Sequence, residues 1–370
     1  MTRRVAAVLA AVSLAASSCV GRGPDLGSFL VGSVTGTVEA LAAGATEWTM
    51  VTKGQRIEGG DALRVAAGGA LALERGTESR FEIRSTPEDE AQLRVESPSL
   101  IDVSAGEALV TSTPTARIDV ESSGVRASSP DGTFRFDRLL SIRVAVYEGS
   151  ATVTAPSGAL LLPSLREGVI AGRSLPREPQ PFRPDEADPW DVALLADVFA
   201  IDDSVTPILR GFQNNFGRRA RTVSFFERAS EGASLRFLRP YLGDTSPGDV
   251  FAAWVLAELV EENGGGETAV TFRQAVELRT LGASWGLIAR EYGVDADSFT
   301  GELVARIGLF TGEVTPPPSP NPTGTSTPTT SPTSKPTGSK SPTGSETPTE
   351  SETPTESESP TPCSLPPLCL

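Results

Sequence analysis

Residues 132–153 read GTFRFDRLLSIRVAVYEGSATV. Phe134 and Phe136, then Ile142, Val144 and Val146, fall on every second position, the period that lines one face of a half-buried strand. The same period recurs upstream in Leu71/Leu73, Phe81/Ile83, Leu93/Val95, Ile101/Val103 and Ile118/Val120. Turn residues punctuate these runs, among them Gly59-Gly60, Gly68-Gly69, Pro87, Pro98, Gly106, Gly124 and Gly132. Many short alternating runs with regular turn signals predict a sandwich, jelly roll or small barrel over residues 29–172. Gly59-Gly60 fits a tight strand connection that needs positive φ, with Asp61 bonding the turn backbone. Glu148-Gly149, between two alternating runs, reads as a hairpin tip.

The order of these segments resembles a known family. Val34-Thr-Gly-Thr-Val38 opens the module, followed by Lys53-Gly-Gln-Arg-Ile-Glu-Gly-Gly-Asp-Ala-Leu-Arg-Val65, Ala105-Gly-Glu-Ala-Leu-Val110, Gly132-Thr-Phe-Arg-Phe136 and Val144-Ala-Val-Tyr-Glu-Gly-Ser-Ala-Thr-Val153. Together they are similar to the extracytoplasmic FecR-type domain, over about 120 residues of the chain. The resemblance implies a jelly-roll-like β fold. The glycines and Asp61 are read as turn residues and given no chemistry.

Charge and composition exclude several functions. A formal charge of −15 argues against nucleic acid, whose binding needs a basic surface to displace counterions. There is no histidine, which removes Ser-His-Asp and Cys-His nucleophiles and histidine metal ligands. Three cysteines are too few for a structural zinc site, so no metal and no cofactor is expected. The run Glu88-Asp89-Glu90 is contiguous, whereas paired catalytic carboxylates need a fixed separation across a cleft; it reads as solvated loop.

The ends have their own logic. Arg3-Arg4, the apolar run Val5–Ala16 and small residues after it form a secretory signal over residues 1–18. Leu14-Ala-Ala-Ser-Ser-Cys19 resembles a bacterial lipobox, with Ala16 where that motif prefers leucine, and the resemblance implies a lipidated Cys19. The protein is therefore expected at the cell membrane, lipid-anchored on the extracytoplasmic face. An acidic chain is repelled by an anionic leaflet, so the lipid and not a basic patch would hold it there. Residues 313–370 are rich in Ser, Thr and Pro, with Ser-Glu-Thr-Pro-Thr-Glu at 345–350 and again at 351–356. From Thr315 to Pro362 it has no apolar residues with which to build a core, and the tail is expected to be disordered. Cys363 and Cys369, in an oxidising compartment, are expected to pair with each other.

Between these lies a helical domain, expected over residues 185–312 after a Pro-rich linker at 173–184. Asp188-Pro189-Trp190 reads as a capped helix start, with Val192, Leu195, Val198 and Phe199 on one face. Val205, Ile208, Leu209, Phe212 and Phe216 form a second helical stripe. Ser246-Pro-Gly-Asp249 starts the apolar helix Val250–Val260, and Gly264-Gly-Gly266 stops it. Residues 282–294 look like the first helix and turn of a helix-turn-helix, but the export signal, the acidic charge and a next helix with one arginine favour ordinary helix-hairpin packing. Arg218, Arg219 and Arg221 form a basic spot, either a solvated helix face or a partner-binding site.

The expected function is a non-catalytic cell-envelope lipoprotein with a FecR-like binding or scaffold module and an envelope protein or cell-wall glycan as partner. One alternative is a sigma-factor signalling component; family members of that kind place a cytosolic segment and a membrane helix before the β domain, where this chain has a signal peptide. Another is a carbohydrate-binding protein, for which Trp48, Trp190, Trp254 and Trp285 are the stacking candidates; the last three lie in helical patterns and read as core. Mass spectrometry of the membrane fraction is expected to find an acylated N-terminus at Cys19. An unmodified N-terminus at another residue contradicts the lipobox reading.

Overall fold

The computed structural model describes residues 27–230 and 234–311. Cys19, Cys363, Cys369 and the Ser/Thr/Pro-rich stretch lie outside these residues. The first part is β-rich, and the second is helical.

Among the described residues sixteen strands make up the β part: β1 (Phe29–Thr35), β2 (Val38–Leu41), β3 (Thr49–Met50), β4 (Arg56–Ile57), β5 (Ala62–Val65), β6 (Ala70–Arg75), β7 (Ser79–Arg84), β8 (Ala91–Ser97), β9 (Leu100–Ser112), β10 (Asp119–Ser122), β11 (Val125–Ser128), β12 (Gly132–Arg138), β13 (Ile142–Ala155), β14 (Gly158–Pro163), β15 (Arg166–Ile170) and β16 (Gln180–Pro181). They form two sheets. The first runs β4-β1-β6-β7-β9-β12-β13-β15-β16 and the second β3-β2-β5-β8-β9-β10-β11-β13-β14. Every pairing is antiparallel except β9 with β10. The alternating residues meet between the sheets as expected: Leu71, Leu73, Phe81, Ile83, Val95, Ile101, Val120, Phe134, Phe136, Val144 and Val146 are buried in one core. Each such side chain contributes roughly 1.5–3 kcal/mol of burial.

The two longest strands belong to both sheets. β9 pairs with β8 and β10 through its first half and with β7 and β12 beyond Gly106. β13 pairs with β12 and β15 up to its middle and with β11 and β14 from Ser150 onward. Both bend at a glycine with positive φ, Gly106 at 111° and Gly149 at 73°. Gly149 is therefore not the hairpin tip that the sequence pattern predicts. It is a corner inside one continuous strand, and corner and tip make the same demand on φ. A Cβ on Gly149 would lie 2.3 Å from the Asp131 carbonyl oxygen, and one on the facing Gly132 2.3 Å from that of Glu148.

Among the described residues seven α-helices follow: α1 (Pro189–Leu194), α2 (Ala196–Phe216), α3 (Val223–Phe226), α4 (Pro247–Glu262), α5 (Thr268–Thr280), α6 (Trp285–Glu291) and α7 (Ala296–Thr311), with a 3-10 helix at Arg236–Tyr241 between α3 and α4. Asp188 caps α1, accepting from the Trp190 and Asp191 amides, and Ser246 caps α4. The chain breaks at Leu195, so Val198 and Phe199 lie on the same long helix as Phe212 and Phe216, while Val192 is exposed. From Val250 to Ala257 every residue of α4 is buried, as befits a helix apolar on all sides. Gly286 lets α6 cross close to α2, since a Cβ there would meet the Val198 carbonyl oxygen at 2.0 Å.

The helices pack on the outer face of the first sheet. Leu109, Ala145, Tyr147 and Leu165 of the β part share a core with α2, α4 and α6, and Phe182 joins them. Here the structure departs from the expected linker at 173–184: Gln180–Pro181 pairs with β15, and Phe182 is fully buried, its ring 5.1 Å from that of Tyr147. Proline is tolerated there because β16 is an edge strand, whose free side needs no donor. A proline-rich composition looks the same in a spacer and in an edge strand followed by a buried aromatic. Limited proteolysis is expected to give one resistant fragment spanning the β and helical parts. Two fragments separated near residues 173–184 would contradict the shared core.

Candidate functional site

Ionisable side chains gather most densely where the first sheet meets α1. Arg135 on β12 is bonded through Nε to Asp137 at 2.6 Å and through Nη1 to Asp188 at 2.5 Å, and its Nη2 lies 3.1 Å from Glu107. Arg84 on β7 bonds Glu107 at 2.5 Å and grips Asp188 with both terminal nitrogens. Arg143 on β13 bonds Glu167 at 2.6 Å. The Tyr147 hydroxyl donates to Asp191 at 2.5 Å, and the Arg84 guanidinium lies 3.9 Å from the centre of the Trp190 ring.

Burial and partners act in opposite directions within this cluster. Burial raises the Asp188 carboxyl, but the Arg84 hydrogen bonds and the charges of Arg135 and Arg84 outweigh it and hold the group down at about 2. Asp137 is pushed up to about 6, chiefly by burial, with Arg135 pulling the other way and Glu107 adding repulsion. Tyr147 is raised by burial and by its bond to Asp191. Arg135 is raised because Asp137, Glu107 and Asp188 outweigh its desolvation. The donors and acceptors face one another, with Arg135, Asp137, Asp188 and Asp191 all buried. A ligand would have to displace protein partners to reach them. The cluster is a joint.

An open site lies at the far end of α2. A groove of about 660 Å³ is lined by Arg221, Glu227, Arg236 and Arg239 among shorter side chains. Arg236 and Arg239 stand three residues apart on the 3-10 helix, where positions i and i+3 eclipse, so both project to one side. Arg221, in the turn before α3, closes the other wall and donates to the Gly243 carbonyl at 3.3 Å. All three are exposed. Three guanidinium groups around one groove, offset by the single carboxylate of Glu227, make a local excess of positive charge on an acidic chain.

Of the residues singled out in the sequence, Arg221 lines this groove, while Arg218 and Arg219 are exposed but are not among its lining residues. Arg236 and Arg239 were not singled out, although Arg-x-x-Arg ahead of Tyr241 becomes legible once a 3-10 turn is recognised. Among the tryptophans, Trp254 and Trp285 are buried and Trp190 packs against the helical core, as the helical patterns implied. Among the described residues, no group of three or more His, Cys, Asp or Glu side chains is placed to hold a metal ion, and no helix is long and apolar enough to cross a membrane.

No family model matches the chain, and no curated protein matches it. Two crystal structures of a protein assigned as an anti-sigma factor from Parabacteroides distasonis are similar over 39% of this chain, at 11% and 12% identity and a TM-score of 0.22. The chain spans about three-fifths of the length of those structures, 59% and 60%. A likeness at that level bears on neither the fold nor the function of this chain.

The joint gives a pH signature. Asp188, depressed in the folded state, contributes roughly 2 kcal/mol above pH 4, and this is lost as the pH falls through 2. Asp137, raised in the folded state, acts with the opposite sign: its penalty is full above pH 6 and disappears as the group takes up a proton toward pH 4. Thermal melting against pH is expected to show Asp137→Asn removing the gain in stability between pH 6 and 4. Asp188→Ala is expected to cost about 3 kcal/mol at pH 7, because it removes the α1 cap and takes one carboxylate from two buried guanidinium groups, leaving Arg84 with Glu107 and Arg135 with Asp137 and Glu107.

Proposed function

We propose that the protein is a non-catalytic lipoprotein of the bacterial cell envelope, held at the extracytoplasmic face by lipid on Cys19. Its FecR-like β module serves as a scaffold for the helices and for the partner site that they carry. The observation that supports this reading best is the groove of Arg221, Arg236 and Arg239, a cationic recess on a chain of net charge −15. A recess of that kind selects an anionic partner, because the acidic remainder of the molecule repels negative surfaces everywhere else. The partner that fits is an envelope protein presenting clustered carboxylates, which guanidinium groups take up in bidentate pairs. Sigma-factor signalling is compatible with this scheme if that partner is a receptor. The groove itself calls only for negative charge.

A photo-crosslinking side chain at exposed Ser224, on the groove wall, tests the reading in cells. It is expected to trap an envelope protein, and the adduct is expected to weaken in high salt and to disappear when Arg221 and Arg239 are both changed to Glu. An adduct indifferent to charge reversal, or none at all, overturns the proposal. A wild-type protein that turns over wall glycans, peptides or esters, and a variant of one carboxylate that loses this with the fold intact, would show that it is an enzyme.

A further inference from the structure

The outer face of the second sheet carries a second recess, unrelated to the arginine groove. Register places Leu41, Ala62, Arg94, Asp102 and Glu121 side by side on β2, β5, β8, β9 and β10. Glu39, Arg64 and Gln92 form the next row. The small side chain of Ala62 leaves a depression in this strip, which Trp48 borders, and the whole makes an open groove of about 490 Å³. The indole is held in place: Arg64, fixed by Glu39 at 2.6 Å, lies over one face of the ring with its guanidinium carbon 4.5 Å from the centre.

Gln92 donates to Glu90, but two charged side chains beyond Trp48 are spare. Among the described residues neither the Arg94 nor the Asp102 side chain makes a hydrogen bond or an ion pair within 4 Å. Burial, then the charges of Glu121 and Glu96, raise the Asp102 carboxyl against the pull of Arg94 on the neighbouring strand, so it gains from a donor that brings no negative charge. From β5 to β9 the strip spans two strand spacings, about 10 Å, the length of two linked pyranose rings.

We infer that the groove between Trp48 and Asp102 binds a neutral glycan, with a pyranose ring against Trp48 and its hydroxyls bonded by Asp102, Arg94 and Gln92. An aromatic ring beside a few convergent polar groups is what an uncharged, hydroxyl-rich ligand requires: the C–H face of the sugar covers the indole while planar acceptors and donors take its hydroxyls. Charge narrows the class. Arg64 is neutralised by Glu39, and Arg94 is outnumbered by Glu90, Glu96 and Asp102, so this groove repels uronic acids and phosphate-bearing polymers. The recess thus has the opposite preference to the arginine groove and works independently of it.

The test uses the full mature chain on an array of neutral oligosaccharides (glucans, mannans and N-acetylglucosamine oligomers) beside uronate and phosphate-bearing glycans and unrelated peptides, followed by calorimetric titration of the best neutral binder. Trp48→Ala is expected to weaken binding at least tenfold and Asp102→Ala at least fivefold, with thermal melting unchanged. Arg94→Gln, which keeps a donor, is expected to lose less than Asp102→Ala. Reversal of Arg221 and Arg239 is expected to leave glycan binding unaltered. Binding to no neutral glycan, binding only to anionic glycans or peptides, or neutral-glycan binding that survives Trp48→Ala would each overturn the inference.

Discussion

Asp188 is the constraint on which the architecture turns. One carboxylate caps α1 through the Trp190 and Asp191 amides and also accepts from Arg84 and Arg135 on two strands of the first sheet. Helix start and sheet surface are thereby fixed by the same two oxygens. A charge this buried is stable only because the guanidinium groups and the amides replace the water that it loses. Removing it would take away the cap and the carboxylate that Arg84 and Arg135 share, leaving them only the sheet's own Glu107 and Asp137, so the tie between helix start and sheet depends on that one residue.

The sheet surface that receives the helices is itself a consequence of two corners. Because β9 and β13 bend at Gly106 and Gly149, one strand can present its apolar side to the sandwich core and then continue into the other sheet. Residues on the outward side of the bent segment, Ala145 and Tyr147, then belong to the helical core. The two cores are thus separated by a single layer of strands, one lining each face. This is why residues 180–230 and 234–311 form part of the same body as the strands rather than a companion on a tether.

The framework leaves polar groups unanswered in two places. In the joint, guanidinium and carboxylate groups bond each other. At Arg221, Arg236 and Arg239, cations outnumber the neighbouring carboxylate, and the Arg94 and Asp102 side chains have no bonded partner among the described residues. The two recesses lie on separate structural parts, one built by helix ends and one by strand registry, and their charges have opposite sign.

Alternation with period two, from Leu71 to Val146, was enough to identify the strands and their buried faces, because a sandwich core accepts only that pattern. Apolar spacing and the caps at Asp188 and Ser246 likewise identified the principal helices, since those preferences are local. Charge and the absence of histidine bounded the chemistry, and the basic spot at Arg221 was visible as a run of like charges. Other features depend on neighbours far away in the chain. The corner at Gly149 is indistinguishable from a hairpin tip until its strand partners are known, and Phe182 reads as linker until Tyr147 covers it. Arg236 and Arg239 become a site only when a 3-10 turn aligns them opposite Arg221. Trp48, Arg94 and Asp102 become one surface only through the register of β5, β8 and β9. The sequence by itself determined which residues prefer strand, helix or solvent, because propensity, period and charge act over a few residues. Only the tertiary structure decided which of them share a core or a groove, because those meetings are set by strand registry and by helices closing over a sheet across more than a hundred residues of chain.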